Sequence, residues 1–227
     1  MKIPLILLLI IAVVLGGSLL LQEPNNANQH RNDLPWMITL NTDGTLGVFD
    51  LALGTSTVTD AVKKFGHIED AALFQHQDGT LDLELYFGSV MLGPIKAKIV
   101  SRLDVPQNKL NELMTLNPER EGSPTGDWKF ALRNYDREWL AQQKLLNLSY
   151  IPGTRSLDHA FFLKRFGEPS MMLQESEHAV SWFYPEKGLS ILIDQEAYEV
   201  IEYIQPSRFS LAQGAVAFDK ASLPTAN

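Results

Sequence analysis

The chain has 227 residues, of which 45% are hydrophobic, so it can bury a substantial core, and this excludes both a disordered chain and a small disulfide scaffold. It contains no cysteine, which excludes disulfides, thiolate nucleophiles, cysteine-ligated zinc and a lipidated cysteine. The 19 Lys and Arg residues are outnumbered by 27 Asp and Glu residues; the net charge of -8, with no cluster of basic residues, argues against nucleic acid as a partner.

The first feature along the chain is an apolar run over residues 3–21. As a helix this run would be roughly 28 Å long, which is enough to cross a bilayer. Lys2 precedes it, and Gln22 and Glu23 follow, so the charge bias places the N-terminus in the cytoplasm. We therefore expect a transmembrane signal anchor over residues 1–21 and a single-pass protein of the cytoplasmic (inner) membrane, with the bulk of the chain in the periplasm.

A cleaved signal peptide is the alternative, because small residues at 16–18 have the spacing that a signal peptidase prefers. Cleavage there would leave three leucines at 19–21 on the new N-terminus, so we favour the uncleaved anchor. Residues 22–34 are almost free of large apolar side chains and predict a flexible tether.

A short amphipathic helix is predicted next. Its apolar positions follow the i, i+3, i+4, i+7 spacing of one buried stripe, namely Val58, Ala61, Val62 and Phe65. Thr57 can cap the start, and Gly66 can close the end after two lysines.

The same pattern recurs about a hundred residues later. The sequence KKFG at 63–66 is matched by KRFG at 164–167, again after an amphipathic run that follows a Gly-Thr pair. Because each helix is followed by segments that alternate polar and apolar residues, each copy predicts a helix and about three antiparallel strands. The predicted strands cover 81–87 and 95–105 in the first copy, and 179–184, 189–194 and 199–205 in the second.

These patterns predict an α+β protein in which the transmembrane helix is followed by two tandem helix-plus-antiparallel-sheet units. The first unit covers 35–105 and the second 150–208. Residues 106–149 form a connecting segment with helices expected at 109–116 and 136–148, and 209–227 are expected to be a mobile tail.

The second copy resembles the SmpA/OmlA family, which includes the BamE lipoproteins. The matching features are Gly153-Thr154 before a helix, FGEP at 166–169, WFY at 182–184 and VIEY at 200–203. The tandem arrangement also resembles the β-lactamase inhibitor proteins. The resemblance implies a BamE-like fold and an adaptor in the cell envelope, without catalysis; the chain departs from the lipoprotein pattern in having no cysteine.

Aromatic residues are the candidate partner-binding groups, because Trp and Tyr dominate interface hot spots. Trp182 and Tyr184 point to one side of their strand, and with Tyr86 and Tyr203 they could line a binding surface. The alternative is that this strand is buried on both faces, against the other copy or the helix at 136–148.

Catalytic chemistry has weaker support. His67, Asp70 and His76 could serve a periplasmic metal-dependent hydrolase, but no histidine pair has the helical spacing of a hydrolase zinc site. Asp158 beside His159 is read as a helix cap, and Asp82 with Glu84 as a solvated strand face.

The sequence therefore predicts a non-enzymatic, membrane-anchored adaptor that binds an envelope protein, or an envelope polymer, through a sheet surface. It predicts no metal, no small-molecule cofactor and no nucleic acid. The alternatives are the hydrolase and a passive structural module whose sheets bury each other.

Overall fold

A computed structural model describes residues 34–122, 126–154 and 157–219. Across these residues the chain forms four α-helices, which are α1 (Val58–Phe65), α2 (Gln107–Leu116), α3 (Arg137–Ala141) and α4 (His159–Phe166). Fourteen strands accompany them: β1 (Thr39–Leu40), β2 (Leu46–Val48), β3 (Leu51–Ala52), β4 (Asp70–Gln75), β5 (Leu81–Leu92), β6 (Ile95–Arg102), β7 (Arg120–Gly122), β8 (Trp128–Ala131), β9 (Asn147–Pro152), β10 (Met171–Gln174), β11 (Ala179–Tyr184), β12 (Leu189–Asp194), β13 (Val200–Ile204) and β14 (Val216–Ala217).

Eleven of the strands form one antiparallel sheet in the order β14-β10-β11-β12-β13-β9-β6-β5-β4-β8-β7. Strand β9 lies at its centre and joins the two halves of the chain. Tyr150 of β9 pairs with Ile99 of β6 on one side and with Ile201 of β13 on the other. Strands β1, β2 and β3 form a separate three-stranded sheet.

The expectation of an α+β fold behind an N-terminal transmembrane helix is wrong. The described chain is mostly antiparallel sheet, with 40% strand and 20% helix. The main reason is the segment 106–149, which we expected to be a helical connector. It supplies β7, β8 and the start of β9, and the helix predicted at 136–148 ends at Ala141.

The expected location as a single-pass inner-membrane protein is also corrected. Within 34–122, 126–154 and 157–219, no helix is long and apolar enough to span a bilayer, and the longest, α2, has 10 residues. The anchor predicted over residues 1–21 lies outside the described residues, as do residues 22–33 of the predicted tether. In the expected mobile tail, β14 pairs with β10, and residues 220–227 are outside the described part.

Helices α1 and α4 begin and end in the same way. Thr57 caps α1 in a box with Asp60, and the Asp158 carboxylate caps α4 by accepting a hydrogen bond from the backbone N–H of Phe161 at 2.8 Å. Each helix ends at a glycine in the left-handed region, Gly66 with φ 97° and Gly167 with φ 80°. The two predicted amphipathic helices, and the prediction that each ends at its Phe-Gly pair, are confirmed.

The core is one continuous cluster that spans both halves of the chain. At its centre lies Phe49, in the turn between β2 and β3, with φ of 52° and no exposed surface. Its ring lies 5.7 Å from that of Tyr150, 5.9 Å from Tyr203 and 6.2 Å from Phe65. A single aromatic side chain thus packs against elements from both helix-and-strand segments.

Candidate functional site: an acidic depression on the open face of the sheet

The two faces of the sheet differ in burial. On β5, Leu83 and Leu85 are fully buried, whereas Glu84 and Tyr86 between and after them are partly exposed. The helices pack on the leucine face, where Phe65 of α1 lies 5.5 Å from Phe87. We call the opposite face, which carries Glu84 and Tyr86, the open face.

A depression of about 440 Å³ lies on the open face where β4 to β8 meet. Its apolar lining residues are Ala72, Phe74, Tyr86 and Val100, and its charged ones are Asp70, Glu84, Glu121 and Lys129. Strand pairing fixes their arrangement, because Ala72 pairs with Glu84 and Tyr86 pairs with both Asp70 and Val100. We call this site the acidic depression.

In the acidic depression, two carboxylates form ion pairs with Lys129, and the third, Glu84, does not. Lys129 binds Asp70 at 3.1 Å and Glu121 at 3.5 Å, so the one ammonium group is already engaged. Glu84 has no hydrogen bond or ion pair with any described residue. Burial raises the pKa of Glu84, and the opposing effect of Arg102 on the paired position of β6 is smaller. The depression therefore holds a partly desolvated carboxylate that has no counter-charge of its own.

Next to the depression, Arg102 joins strands from both halves of the chain. Its guanidinium donates to Asp82 on β5 at 3.2 Å and to Glu202 on β13 at 2.9 Å. The side chain of Asn147 on β9 also donates to Glu202. Burial disfavours the charge of Arg102, but the attraction of Glu202 and Asp82 together with their hydrogen bonds outweighs it, so the pKa of Arg102 is raised. This pairing fixes the neighbouring strands of the open face relative to one another.

His76 extends the same network toward β8. Its Nε2 lies 3.0 Å from Asp82 Oδ2 and its Nδ1 lies 3.2 Å from Asp127 Oδ2. The hydrogen bond to Asp82 is the main reason why the pKa of His76 is raised, and Asp127 acts in the same direction.

Three of the four predicted partner-binding residues are not accessible. Trp182, Tyr184 and Tyr203 are 0% exposed because their side chains point to the helix-covered face of the sheet. The Tyr184 hydroxyl donates to the carbonyl of Gly167 at 3.0 Å, and the ring of Trp182 packs 5.6 Å from that of Phe218. Tyr86, in contrast, is partly exposed and lines the acidic depression.

The alternative explanation for the aromatic strand β11 was that the other copy, or a helix at 136–148, covers its second face. In the structure, a different segment packs against this second face of β11. Phe183, which points to that second face, packs against Phe209 at 6.4 Å, and Phe209 directly follows the short 3-10 helix Pro206–Arg208. The two halves lie side by side in one sheet instead of stacking on each other.

The three residues proposed for a hydrolase do not form a common site. His67 is exposed near the end of α1, Asp70 binds Lys129, and His76 lies between two carboxylates. In the part of the chain that the structure describes, no group of three His, Asp or Glu side chains could hold a metal ion. Asp158 caps α4, as expected, and the His159 ring packs 5.3 Å from that of Trp182.

Sequence reasoning missed Glu84 because it treated Asp82 and Glu84 as one solvated strand face. The structure separates their roles, since Asp82 binds Arg102 and His76, while Glu84 forms no such bond and lines the depression next to Ala72 and Tyr86. The available signal was the position of Glu84 between Asp82 and Tyr86 on the same face, but the flanking strand β8 that closes the depression was not predicted.

No family model matches the chain, and comparisons with curated proteins and with solved structures find no match.

Proposed function

We propose that this chain is a non-enzymatic adaptor that binds a partner protein through the open face of its sheet. The partner inserts a lysine or arginine side chain into the acidic depression. The observation that carries the proposal is the carboxylate of Glu84, which is partly desolvated beside Tyr86 and forms no hydrogen bond or ion pair with a described residue.

The chemistry of the depression suits a cationic side chain. Three carboxylates line it against a single lysine, which is already paired. The alkyl part of a long basic side chain could lie on Phe74 and Val100, while its charged end reaches Glu84 and the face of the Tyr86 ring. A net charge of -8 on the chain would also attract a basic partner over longer distances.

The surroundings support binding without large rearrangement. Arg102 holds β5 and β13 through its two carboxylate partners, and Asn147 adds a contact from β9. A surface whose strands are already fixed loses less conformational entropy when it binds, which favours affinity. The passive structural module is less well supported, since the open face around Tyr86 is not covered by another described element.

The test uses the full chain to select binders from a displayed random peptide library. We expect selected peptides to be enriched in lysine and arginine, and to bind the Glu84→Gln and Tyr86→Ala variants at least about tenfold more weakly, which corresponds to roughly 1.4 kcal/mol. Glu177→Gln and Tyr198→Ala are the matched controls, because both residues are exposed and lie outside the depression, and they should bind as the unaltered chain does.

Folding provides an internal check. Because burial disfavours the charge of Glu84 more than the nearby Arg102 favours it, Glu84→Gln should leave the free energy of unfolding unchanged or raise it. Weaker binding together with equal or greater stability supports a binding role. Peptides without basic residues, or unaltered binding by both variants, would contradict the proposal.

A further inference from the structure

A second surface lies on the helix-covered side of the sheet, between α1 and α3. It is a groove of about 560 Å³, within the roughly 300–1,000 Å³ of ligand pockets. Its apolar lining residues are Val58, Val62, Ile68, Tyr135, Leu140 and Ala141. We call it the helix groove; it does not share any lining residue with the acidic depression.

The walls of the helix groove are held together at one end. The hydroxyl of Thr59 on α1 donates to the carbonyl of Ala141 on α3 at 3.0 Å, and the backbone N–H of Val58 donates to the carbonyl of Gln143 at 2.9 Å. Asp136 caps α3 by accepting hydrogen bonds from two backbone N–H groups at 2.8 and 3.1 Å. The groove is therefore a fixed feature of the fold.

The exposure of Val62 departs from the apolar pattern of α1. The sequence pattern of α1 predicts that Val58, Ala61, Val62 and Phe65 are all buried, but Val62 is 37% exposed in the groove. On α4, in contrast, the ring of Trp36 packs 5.4 Å from that of the partly buried Phe161. The apolar stripe of α1 is thus wider than the core uses.

The charges around the helix groove have the opposite sign to those of the chain as a whole. Its lining residues that can carry a positive charge are Lys63, His67 and Arg137, and the described lining residues include no carboxylate. Lys63 forms an ion pair with Asp60 at 3.6 Å, but the two side chains are 73% and 43% exposed, and such a surface pair contributes little. An apolar strip with a basic rim is therefore complementary to an apolar and acidic ligand.

We propose that the helix groove binds an amphipathic, acidic helical segment of a second protein. Its apolar side chains cover Val62 and contact Ile68 and Tyr135, and its carboxylates pair with Lys63 and Arg137. The exposure of Val62 favours a macromolecular segment over a small amphiphile, because small-molecule pockets bury most of their ligand. With the acidic depression on the opposite face, the chain could hold two partners of opposite charge at once.

The probe is a labelled helical peptide with leucine along one face and glutamate at most other positions. A second peptide replaces glutamate with lysine, and a third has the same composition as the first with the leucines dispersed. Binding to the full chain is measured by fluorescence anisotropy. We expect the first peptide to bind at least about tenfold more tightly than either control peptide.

The variants are Val62→Asp and the double charge reversal Lys63→Glu with Arg137→Glu. All three residues are exposed, so folding should persist, and each variant should reduce binding of the acidic peptide at least about tenfold. Val216→Asp and Arg133→Glu are the controls, since Val216 is 59% exposed and the Arg133 side chain 74% exposed, both away from the groove.

Equal binding of the acidic and lysine peptides would overturn the proposal, as would unaltered binding by Val62→Asp. Dodecanoate is tested in parallel; if it binds at the groove while the acidic peptide does not, the groove is a site for an anionic amphiphile and the proposal is wrong. None of these outcomes affects the acidic depression, whose variants are tested separately.

Discussion

The hydroxyl of Tyr203 donates a hydrogen bond of 2.6 Å to the backbone carbonyl of Pro35, which lies 168 positions earlier in the chain. Tyr203 is fully buried on β13, so this bond ties the first described residues to the centre of the sheet. Tyr150, on the neighbouring strand β9, is equally buried, but its hydroxyl has no partner among the described residues. The two tyrosines therefore provide a matched pair.

Removing the two hydroxyls should have different effects on stability. Tyr203→Phe leaves the buried carbonyl of Pro35 unpaired and should lower the free energy of unfolding by about 1–3 kcal/mol. Tyr150→Phe removes an unsatisfied polar group and should change it by less than about 0.5 kcal/mol or raise it. Urea unfolding of the full chain followed by tryptophan fluorescence measures both values. Equal losses in the two variants would contradict this assignment.

The centre of the core gives a second prediction. Phe49 contacts rings from both halves of the chain, so Phe49→Ala should lower the free energy of unfolding by about 3–5 kcal/mol. The positive φ of Phe49 does not reduce this loss, because alanine is strained there too.

Asp50→Gly in the same turn is the control for Phe49→Ala. Glycine relieves a positive φ of 61°, while the change removes an exposed ion pair with Lys64, so the net effect should stay within about 1 kcal/mol. Thermal unfolding monitored by circular dichroism distinguishes the two. A loss for Asp50→Gly as large as that for Phe49→Ala would show that the turn, and not the aromatic contact, is decisive.

The sequence alone was sufficient to predict features that depend on residues close together in the chain. The helix from Val58 to Phe65, its threonine cap and its glycine end follow from local propensity and spacing, and so does the alternation along β5. Which face of each strand is covered depends on distant contacts. Trp182 could not be assigned to the core from its own strand, because Phe218, which covers it, lies at the far end of the described chain.

The prediction of the fold class failed because it also depends on contacts between residues that are distant in the chain. Residues 106–149 contain helical patterns, but β7 and β8 are short and β9 pairs with partners at 95–102 and 200–204. Only those pairings convert two helix-and-strand segments into one sheet. The acidic depression needs β8 to close it, so the surroundings of Glu84 could not be derived from β5 alone.

The Arg102 network gives a third prediction. Arg102→Met leaves Asp82 and Glu202 without their shared cation on a partly buried surface, and should lower the free energy of unfolding by about 1–3 kcal/mol. Arg208→Met is the control, because Arg208 pairs with Asp104 at 2.8 Å on a more exposed surface, and its loss should stay below about 1 kcal/mol. Chemical unfolding at low and high salt measures the loss of unfolding free energy in each variant. Similar losses for Arg102→Met and Arg208→Met would show that the network stabilises the fold no more than a surface ion pair does.

His76 gives the last prediction, which concerns pH. Its pKa is raised in the folded protein, mainly by the hydrogen bond to Asp82, so the folded state binds the proton more tightly than the unfolded state does. The resulting stabilisation is fully present below the unfolded pKa of 6.5 and is lost as the pH rises through the folded pKa. Because the His76 side chain is 36% exposed, water screens the interaction, and we expect a change of less than about 1 kcal/mol over this range.

Proton NMR titration of the imidazole signals measures the pKa of His76 directly, with Asp127→Asn and His76→Gln variants to assign and test it. We expect a midpoint above 6.5 for His76 and one below 6.5 for His159, whose pKa is lowered by burial. Asp127→Asn should move the His76 midpoint down, since it removes one of the two carboxylates that favour the charged ring. In His76→Gln the corresponding pH dependence of unfolding should disappear. A His76 midpoint at or below 6.5 would mean that the ring is not held between Asp82 and Asp127 in solution.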